Sequence, residues 1–363
     1  MLAFSNNNYE LDFGAKQSVE LFCAYDTSEK EQETYSIKEN DILITRTSET
    51  IDELAMSCVA VKDYPNATYS GFTKRLRPKT DGIAYAKYLA FYLRGYLFRK
   101  SVTNNAFMTL RASFNEDIFS FLNLYLPEYP QQVLMGNLLY NIEHKIQVNK
   151  KINENLEQQA KALYQQMFIE NTCPDWIEGS LRDIADITMG QSPSGSSFNE
   201  DGIGTIFFQG RAEFSFRFPT IRLYTTEPKR MAYANDILMS VRAPVGDLNI
   251  AHTDCCIGRG LAAIHSKTNH QSFVLYTMFS LRKQLDVFNG EGTVFGSINR
   301  NSLNDMPILI PSDETIEEFE KIVAPMDAAI RNNYDEICRL QAVRDSLLPR
   351  LMSGELDVSS LDI

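Results

Sequence analysis

Two long segments of the chain carry apolar residues at alternating spacings of four and three positions. The first series runs from Ile142 to Met167, and the second runs from Met326 to Leu351. Apolar residues at this spacing form one stripe along an α-helix, as the a and d positions of a coiled coil do. The pattern therefore predicts two long helices whose stripes can pair.

The two stripes match each other at a constant offset of 184 positions, as Ile146 and Ile330 illustrate. A polar Asn in such a stripe can fix the register of a helix pair. We expect the helices to pair in antiparallel fashion, because a whole domain of chain separates them. The alternative is that each is an ordinary amphipathic helix packed on its own domain. The predicted helix-pair interface comprises Ile142, Ile146, Asn149, Leu156, Leu163, Met326, Ile330, Asn333, Leu340 and Leu347.

The chain outside these helices mixes short β-branched runs with short helical runs, which predicts a mixed α/β (α+β) fold. A weaker repeat relates Asn40–Leu43 to Asn235–Leu238, and each copy is followed by a strand-like run and an arginine, Arg46 or Arg242. Short apolar runs at Leu122–Leu126 and Ile308–Ile310 also predict strands. The predicted division is a first domain at 1–129, a central helix at 130–171, a second domain at 172–312, and a C-terminal helix and tail at 313–363.

Charge is distributed unevenly along the chain. The formal net charge of −12 disfavours nucleic-acid binding, because phosphate binding depends on lysine and arginine. Residues 71–111, however, contain nine basic side chains and one acidic side chain, whereas residues 1–63 contain 13 acidic and 5 basic ones. A basic face on an acidic protein can bind DNA, although an ordinary solvated surface is the alternative.

Sequence patterns typical of secretion, membrane insertion and catalysis are missing or incomplete in this sequence. No apolar run approaches the roughly 20 residues that a membrane span requires. The six cysteines show no CxxC spacing, and the N-terminus lacks the pattern of a signal peptide, which predicts a cytoplasmic location. A P-loop is absent, and His252, Cys255 and Cys256 lack the second ligand pair of a zinc site. We therefore expect no metal site.

The segment Phe288–Gly292 is similar to the methyl-donor loop of methyltransferases. The chain lacks the downstream Asn-Pro-Pro-aromatic motif that would hold a flipped adenine. We therefore expect its glycines to shape a tight loop near DNA, and we expect no catalytic residue.

Several motifs resemble the specificity subunit of type I restriction–modification enzymes, a bacterial defence system. Together with the repeat of domain and helix, they cover nearly the whole chain. The repeat layout is specific, and each short motif is less so. The motifs are Asp41–Thr50, Ser70–Phe72 with Arg75–Pro78, Met189–Asn199, Phe207–Gly210, Gly292–Asn299 and Leu347–Leu356.

The resemblance implies two target-recognition domains, each reading one half of a bipartite, asymmetric DNA site. It also implies that the paired helices set the gap and dock two modification subunits, which methylate adenine. Restriction subunits join in some systems. No cofactor is implied for this chain, since S-adenosylmethionine, ATP and Mg²⁺ belong to the partner subunits. The first domain has 40 residues before Asp41, whereas the second has 60 before Asp236 when counted from Trp176, so we expect an N-terminally shortened first recognition domain.

Base readout needs Arg, Lys, Asn, Gln, Ser or Thr on loops that enter a groove. Gln209-Gly210-Arg211 is a strong candidate, because Gln can pair with adenine, Arg can pair with guanine, and Gly permits close approach. The candidates of the first domain are Arg46, Thr47, Ser48, Lys74, Arg75 and Arg77. Those of the second domain are Gln191, Ser192, Gln209, Arg211, Arg242 and Arg259.

Three other functions stay open at this level. The chain could be a repressor-like DNA-binding protein without enzyme partners, a coiled-coil scaffold without nucleic acid, or a self-contained methyltransferase. The apolar and acidic surface of the long helices disfavours the first, the arginine-rich stretch disfavours the second, and the missing adenine-binding motif disfavours the third.

Overall fold

The computed structural model describes residues 21–23, 28–65, 67–105, 107–108, 112–113, 119–120, 122–290, 296–356 and 358. The chain divides into two compact units. Unit 1 consists of Met1–Ile152 and Asn332–Ile363, and unit 2 consists of Asn153–Arg331. Each unit therefore combines a globular region with part of each long helix.

Unit 1 is built from short strands, short helices and a long helix. Its strands are β1 (Leu21–Cys23), β2 (Ile42–Thr45), β3 (Thr47–Ser48), β4 (Ser57–Val59), β5 (Ala67–Tyr69), β6 (Thr73–Leu76), β7 (Phe107–Met108) and β8 (Ala112–Ser113). Its helices are α1 (Glu29–Tyr35), α2 (Ala86–Tyr92), α3 (Tyr96–Asn105) and the first part of α4 (Tyr129–Tyr164).

The core of unit 1 forms around a three-stranded antiparallel sheet in the order β4-β2-β6. Ile42, Leu43 and Ile44 of β2 are buried and Thr45 is half-buried, as expected for the central strand of the sheet. Helix α2 buries most of its side chains against this core, and Leu139 of α4 and Leu351 of the C-terminal helix complete it. Smaller ladders join β3-β8-β7 and β1-β5.

Unit 2 contains two larger sheets. Its strands are β9 (Ile177–Ser180), β10 (Ala185–Met189), β11 (Phe198–Asn199), β12 (Thr205–Phe208), β13 (Leu223–Thr225), β14 (Met231–Ala232), β15 (Ile237–Ser240), β16 (Leu248–Ile250), β17 (Cys255–Ile257), β18 (Leu261–Ser266) and β19 (Pro307–Ile310). Its helices are α5 (Leu181–Ile184), α6 (Gln271–Ser280), α7 (Arg282–Asp286), α8 (Arg300–Asn304) and the first part of α9 (Asp313–Ser353).

The two sheets of unit 2 have the orders β10-β18-β15-β16 and β11-β13-β12-β17-β14, and β9 pairs with β19. The first sheet is antiparallel, and the second contains one parallel pair, β12 with β17. Helix α6 is apolar on nearly all sides, since seven of its side chains are buried. It therefore lies inside the core of this unit.

One turn has the same structure in both units. Asn40 and Asn235 have positive φ angles of 69° and 75°, which Asn tolerates better than most residues. The following Asp41 and Asp236 are 0% and 3% exposed, and each carboxylate accepts a backbone N–H from three residues upstream, at 2.8 and 2.7 Å. The weak sequence repeat therefore corresponds to a shared turn that begins the central strand, β2 or β15.

The repeat also relates β4-β2-β6 to β16-β15-β18. Arg46 donates its backbone N–H to the carbonyl of Phe72, and Val241 donates to the corresponding Gly260. Arg46 is thus equivalent to Val241, and Thr47 is equivalent to Arg242. The arginine that follows each run, Arg46 or Arg242, is therefore displaced by one position between the two units.

The long helices contact each other within each unit. In unit 1, Ile142, Ile146 and Ile337 form one apolar cluster, packed with Leu340 and Leu347. Asn149 donates to Glu336 at 2.7 Å, and Arg344 binds Glu143 at 2.6 Å. Rising numbers on α4 pair with falling numbers on α9, so the contact is antiparallel.

In unit 2, the side chain of Asn153 donates to the carbonyl of Ile330 at 3.2 Å. Leu163 and Met326 are half-buried and pack on the core of this unit, and Leu156 is also half-buried, as is Asn333 in unit 1. The mixed α/β fold with long helices is confirmed, while a continuous supercoil and the predicted domain boundaries stay predictions.

The two predicted strands before the long helices have different outcomes. Pro307–Ile310 forms β19, paired with β9 in full register. Leu122–Leu126 is irregular, so that prediction was wrong. Its leucines instead pack on the unit 1 core, and the backbone N–H of Tyr125 donates to the hydroxyl of Tyr92 at 3.3 Å.

Candidate nucleic-acid interface

A cleft of about 260 Å³ in unit 2 brings together five of the six candidates predicted in the second domain. Its lining residues are Ser192, Gln209, Gly210, Arg211, Ser240, Arg242, Ala243, Arg259 and Gly260. Gln191, the sixth candidate, is exposed and adjoins Ser192 in the chain. Residues 67 positions apart in sequence therefore meet on one surface, as the 3.2 Å hydrogen bond from the Arg259 backbone N–H to Ser192 Oγ shows.

Backbone packing against glycine forms the floor of the cleft. A Cβ atom on Gly258 would lie 2.9 Å from Gln209 Cα, and one on Gly260 would lie 2.8 Å from the Gln209 carbonyl oxygen. Gly190 is packed as closely on the Gly258 carbonyl. These contacts seat the Gly258–Gly260 loop directly on the end of β12, which carries Gln209 to the rim.

The rim of the cleft is polar and positively charged. Gln209, Arg211, Arg242 and Arg259 are all exposed. Arg211 is bound to the carboxylate of Asp247, whereas Arg242 and Arg259 form no ion pair with any carboxylate in the described part of the chain. Guanidinium and amide groups with open hydrogen-bonding edges are suited to guanine and adenine in the major groove.

The segment that carries Arg242 is held by hydrogen bonds on both sides. Val241 donates to Gly260, Ala243 donates to Gly296 at 3.0 Å, and Ile298 donates to Val241 at 3.0 Å. The bonds place the backbone of Arg242 between two loops. Part of the Gly292–Asn299 motif, residues 292–295, and the end of the Phe288–Gly292 segment lie outside the described residues.

The described part of the Phe288–Gly292 segment supports a tight loop. Gly290 has a φ of 78°, and the side chain of Asn289 accepts the backbone N–H of Val245 at 2.6 Å. A Cβ atom on Gly296 would collide with the Phe288 carbonyl oxygen at 1.9 Å. Gly290 is therefore favoured by its positive φ, and Gly296 is required by close backbone approach.

In unit 1 the first three predicted candidates lie together in the chain and differ in environment. Arg46 is exposed, Thr47 is half-buried, and Ser48 is buried. The Ser48 hydroxyl donates to Glu53 at 2.6 Å, which engages it in a local contact. Arg46 therefore has the most accessible side chain of this group.

The other three unit 1 candidates lie on or next to β6, and they include two arginines with hydrogen bonds inside the unit. Arg77 binds both oxygens of the buried Asp41 at 2.6 Å, and this hydrogen bond raises the pKa of the guanidinium. Arg75 donates to the Ser36 carbonyl at 3.0 Å and lies over the ring of Tyr69. Lys74 is half-buried on the same strand.

The rest of the basic stretch also has internal contacts. Arg94 donates through Nε to the Ser57 carbonyl at 2.7 Å, and Arg99 donates to the carbonyls of Leu54 and Ile51. Lys87 lies 4.0 Å from the centroid of the Tyr140 ring, and burial lowers the pKa of its ammonium group. Much of this stretch stabilises unit 1, an outcome that neither the DNA-binding nor the solvated-surface interpretation anticipated.

Sequence reasoning missed three residues of unit 2. Asp247 and Arg282 lie beside the cleft and are described below. Arg217, with a φ of 64° and 5% exposure, binds Asp327 at 2.9 Å and the hydroxyl of Tyr276 at 2.6 Å. Burial opposes its charge, but Asp327 and Tyr276 leave the guanidinium with a raised pKa. No local pattern identifies such contacts, since Arg217 and Asp327 are 110 positions apart.

The residues considered above as zinc ligands, His252 and Cys255, have other surroundings in the structure. Burial raises the pKa of the Cys255 thiol to about 12, which disfavours the thiolate that a metal needs. His252 packs edge-on against the ring of Phe218. Among the described residues, no group of three or more His, Cys, Asp or Glu side chains could hold a metal ion. In that same part of the chain, no helix combines the length and apolarity that a membrane crossing requires.

A family model described as Type I restriction modification DNA specificity domain matches the chain twice, at residues 5–158 and 174–339. The chain belongs to this family. It is a specificity subunit of a type I restriction–modification system, and its role is the recognition of DNA sequence. The family assignment favours this function over the repressor, scaffold and methyltransferase alternatives.

Individual relatives agree with the assignment. The chain is 30% identical over 290 residues to the MjaX specificity subunit of a type I restriction enzyme from Methanocaldococcus jannaschii, which covers 73% of this chain and 68% of the relative. It is 22% identical over 322 residues to the HindI specificity subunit from Haemophilus influenzae, which covers 66% of this chain and 70% of the relative.

A solved structure supports the fold. The S subunit of a type I restriction–modification system from M. genitalium matches with a TM-score of 0.60 and 14% identity, covering 88% of this chain and 84% of that structure. The family model matches the chain twice, and the shared turn, at Asn40-Asp41 and at Asn235-Asp236, occurs once in each matched region.

Proposed function

We propose that this specificity subunit reads a bipartite, asymmetric DNA site through its two globular regions. The observation that carries the proposal is the cleft of unit 2, where Ser192, Gln209, Arg211, Arg242 and Arg259 converge. Its exposed amide and guanidinium groups can contact base edges, while the backbone floor permits close approach of a groove. We assign one half of the site to this cleft.

The other half-site is assigned to unit 1. Arg46 and Thr47 are the preferred contacts, because Arg75 and Arg77 are engaged in contacts within unit 1. Thr47 occupies the position equivalent to Arg242, which lies in the cleft of unit 2. A shortened first recognition domain can still present this edge of its sheet to DNA.

The long helices are proposed to set the gap between half-sites and to dock two modification subunits. Their antiparallel contacts in each unit, such as Asn149 with Glu336, support a defined register. We further propose that catalysis resides in the partners. The modification subunits bind S-adenosylmethionine and methylate adenine, and restriction subunits, in systems that have them, use ATP and Mg²⁺ in the cytoplasm.

The test is a map of methylated adenines in DNA from cells that express the chain together with its modification subunit. We expect a bipartite motif with methyladenine in both halves. A motif confined to one half would contradict the assignment of a reader to unit 1. A stable complex that methylates without sequence preference would contradict the whole proposal.

A single variant tests the cleft itself. Arg211→Ala removes an exposed guanidinium from its rim, and we expect it to weaken binding to the cognate site by about 1–3 kcal/mol and to relax one base position. The methylation map and the affinity of the complex for the cognate DNA provide the readouts. An unchanged motif together with unchanged affinity would remove Arg211 from the site.

A further inference from the structure

One carboxylate, that of Asp247, binds the guanidinium groups of two arginines beside the unit 2 cleft. Its Oδ2 accepts from Nη1 of Arg211, and its Oδ1 accepts from Nη1 of Arg282 at 2.7 Å. Three separate elements meet here: the turn after β12, the β15–β16 hairpin and helix α7. Both arginines are partly exposed, at 49% and 42%, so the ion pairs lie where a ligand can reach them.

The backbone around Asp247 is restrained by the hairpin that carries it. Asp247 donates its backbone N–H to Ser240 Oγ at 2.9 Å, and its carbonyl accepts the Ser240 N–H at 2.9 Å. The Ser240 hydroxyl donates in turn to the Pro244 carbonyl at 2.7 Å. Gly246, with a φ of 87°, packs on Leu285, since a Cβ there would lie 3.0 Å from that side chain. The carboxylate therefore has a defined position.

The contact with Asp247 leaves part of Arg211 open. It uses Nη1, and in the described part of the chain the Nε and Nη2 groups of Arg211 have no other partner. An arginine that reads guanine must present two N–H groups in one plane to O6 and N7. A long side chain has many rotamers, and an anchored carboxylate favours those that keep the guanidinium at the rim.

Asp247 also changes the charge of the rim. Together Arg211, Arg282 and Asp247 carry a net charge of +1, whereas the two arginines alone would carry +2. Non-specific DNA binding grows with the number of phosphates that a protein neutralises. A carboxylate at this place therefore lowers attraction to any DNA while it orients the group that reads a base.

We propose that Asp247 is a positioning residue for sequence discrimination, which holds Arg211 for the readout of one base pair. This inference rests on the proposed function of the unit 2 cleft. Asp247 acts through Arg211 and is not itself assigned a contact with DNA. Arg282 shares the carboxylate and limits its freedom, because it also pairs with Asp286 at 3.2 Å.

The test compares Asp247→Asn with a matched control, Asp286→Asn. Both variants remove one negative charge next to Arg282, but Asp286 pairs with Arg282 and not with Arg211. The full chain, in complex with its modification subunits, is titrated with the cognate duplex. The same titration uses duplexes that carry single base changes in the half-site of unit 2, at two or more salt concentrations.

We expect Asp247→Asn to lower the ratio of cognate to altered-site affinity about 10-fold at one base pair, within the range of one bidentate contact. Binding to unrelated DNA should rise a few-fold at low salt in both variants. Asp286→Asn should keep the discrimination ratio. In an Arg211→Ala background, Asp247→Asn should cause no further loss of discrimination, which a general loss of folding would not reproduce.

Equal discrimination by the two Asn variants at every position of the half-site would overturn the inference. A loss of affinity for all duplexes together, with a lowered melting temperature, would also overturn it, since this is the result of a purely structural role. If the unsubstituted complex does not distinguish the cognate duplex from the altered ones, the proposed function of the cleft itself fails, and the inference fails with it.

Discussion

In unit 1 the buried Asp41 binds Arg77, whereas in unit 2 the equivalent Asp236 binds His265 at 2.6 Å. The strand registers establish this equivalence, since Leu76 pairs with Ile42 and Ile264 pairs with Ile237. Unit 1 thus uses an arginine to satisfy a carboxylate that unit 2 satisfies with a histidine. The same turn can be stabilised by different side chains, an arginine or a histidine, so the residue type alone does not reveal its role.

The arginines of the two units also differ in their partners. Arg94 and Arg99 of unit 1 donate to backbone carbonyls, while Arg242 and Arg259 of unit 2 lie exposed on the cleft. Arg217 shows that unit 2 also contains a structural arginine. The comparison teaches that a high density of basic residues does not locate a DNA surface. Under the proposed function, the DNA surface lies where guanidinium groups keep exposed N–H groups open, as those of Arg242 and Arg259 do.

The largest effect that would test this comparison is expected from Arg77→Ala. It leaves the fully buried Asp41 without its cation, a loss that costs 3–5 kcal/mol for a fully buried pair. Because Arg77 is 37% exposed, solvent screening reduces the expected loss to about 2–3 kcal/mol of unfolding free energy. Chemical denaturation of the full chain measures it.

The control for that prediction is Asp41→Asn combined with Arg77→Ala, which removes the unpaired charge and should recover part of the lost stability. A fully stable Arg77→Ala variant that no longer binds its half-site would reverse the assignment, because Arg77 would then act on DNA rather than on Asp41.

A smaller effect, on DNA affinity rather than on stability, is expected from Arg242→Ala. The side chain is exposed and has no carboxylate partner in the described chain, so stability should change by less than about 0.5 kcal/mol. Affinity of the complex for cognate DNA should fall by about 1–2 kcal/mol. Titrations at several salt concentrations distinguish a base contact, which changes discrimination, from a phosphate contact, which lowers the salt slope by about 1.

Thr47→Ala, at the equivalent position of unit 1, is the matched comparison for Arg242→Ala. If Thr47→Ala alters the motif and Arg242→Ala leaves both motif and affinity unchanged, the main DNA contact at this position lies in unit 1. The comparison between the units would then be reversed.

The smallest effect is expected from Arg75→Ala. It removes one hydrogen bond to Ser36 and a contact with the ring of Tyr69, which together stabilise the fold by about 1 kcal/mol. Arg75 corresponds in register to Ala263, so unit 2 shows that the strand tolerates alanine here. A thermal shift of a few degrees with an unchanged methylation motif is the expected result. A changed motif at unaltered stability would place Arg75 on DNA.

The fold was largely predictable because its features are local or periodic. The spacing from Ile142 onward determines one apolar helix face, and burial of Ile142, Ile146 and Ile330 confirms it. The Asn40-Asp41 repeat was visible because its turn needs a positive φ followed by a buried carboxylate. The equivalence of Arg46 with Val241, and of Thr47 with Arg242, could not be found by counting, since hydrogen bonds to Phe72 and Gly260 define it.

The candidates predicted in unit 2 converge in one cleft, whereas most of those predicted in unit 1 have partners inside the unit; their contacts with DNA stay predictions. Gln209, Arg211 and Arg259 lie next to glycines in the sequence. Because glycine has few conformational limits, such neighbours indicate loops where another backbone or a ligand can approach closely. The partners of Arg94 and Arg99 lie 37 and 45 positions away, in carbonyl groups that any residue possesses. The match of Arg77 to His265 is visible only in the structure, since Arg77 lies 36 positions after Asp41 and His265 lies 29 positions after Asp236.

The glycine floor of the unit 2 cleft has a consequence for redesign. Gly258 and Gly260 contact the backbone of Gln209 rather than its side chain, and the rim side chains point away from the buried core of this unit. A substitution at Gln209, Arg242 or Arg259 therefore changes the rim without repacking the glycine floor. If the cleft reads DNA as we propose, libraries that vary the rim alone should yield new target sequences at little cost in folded protein.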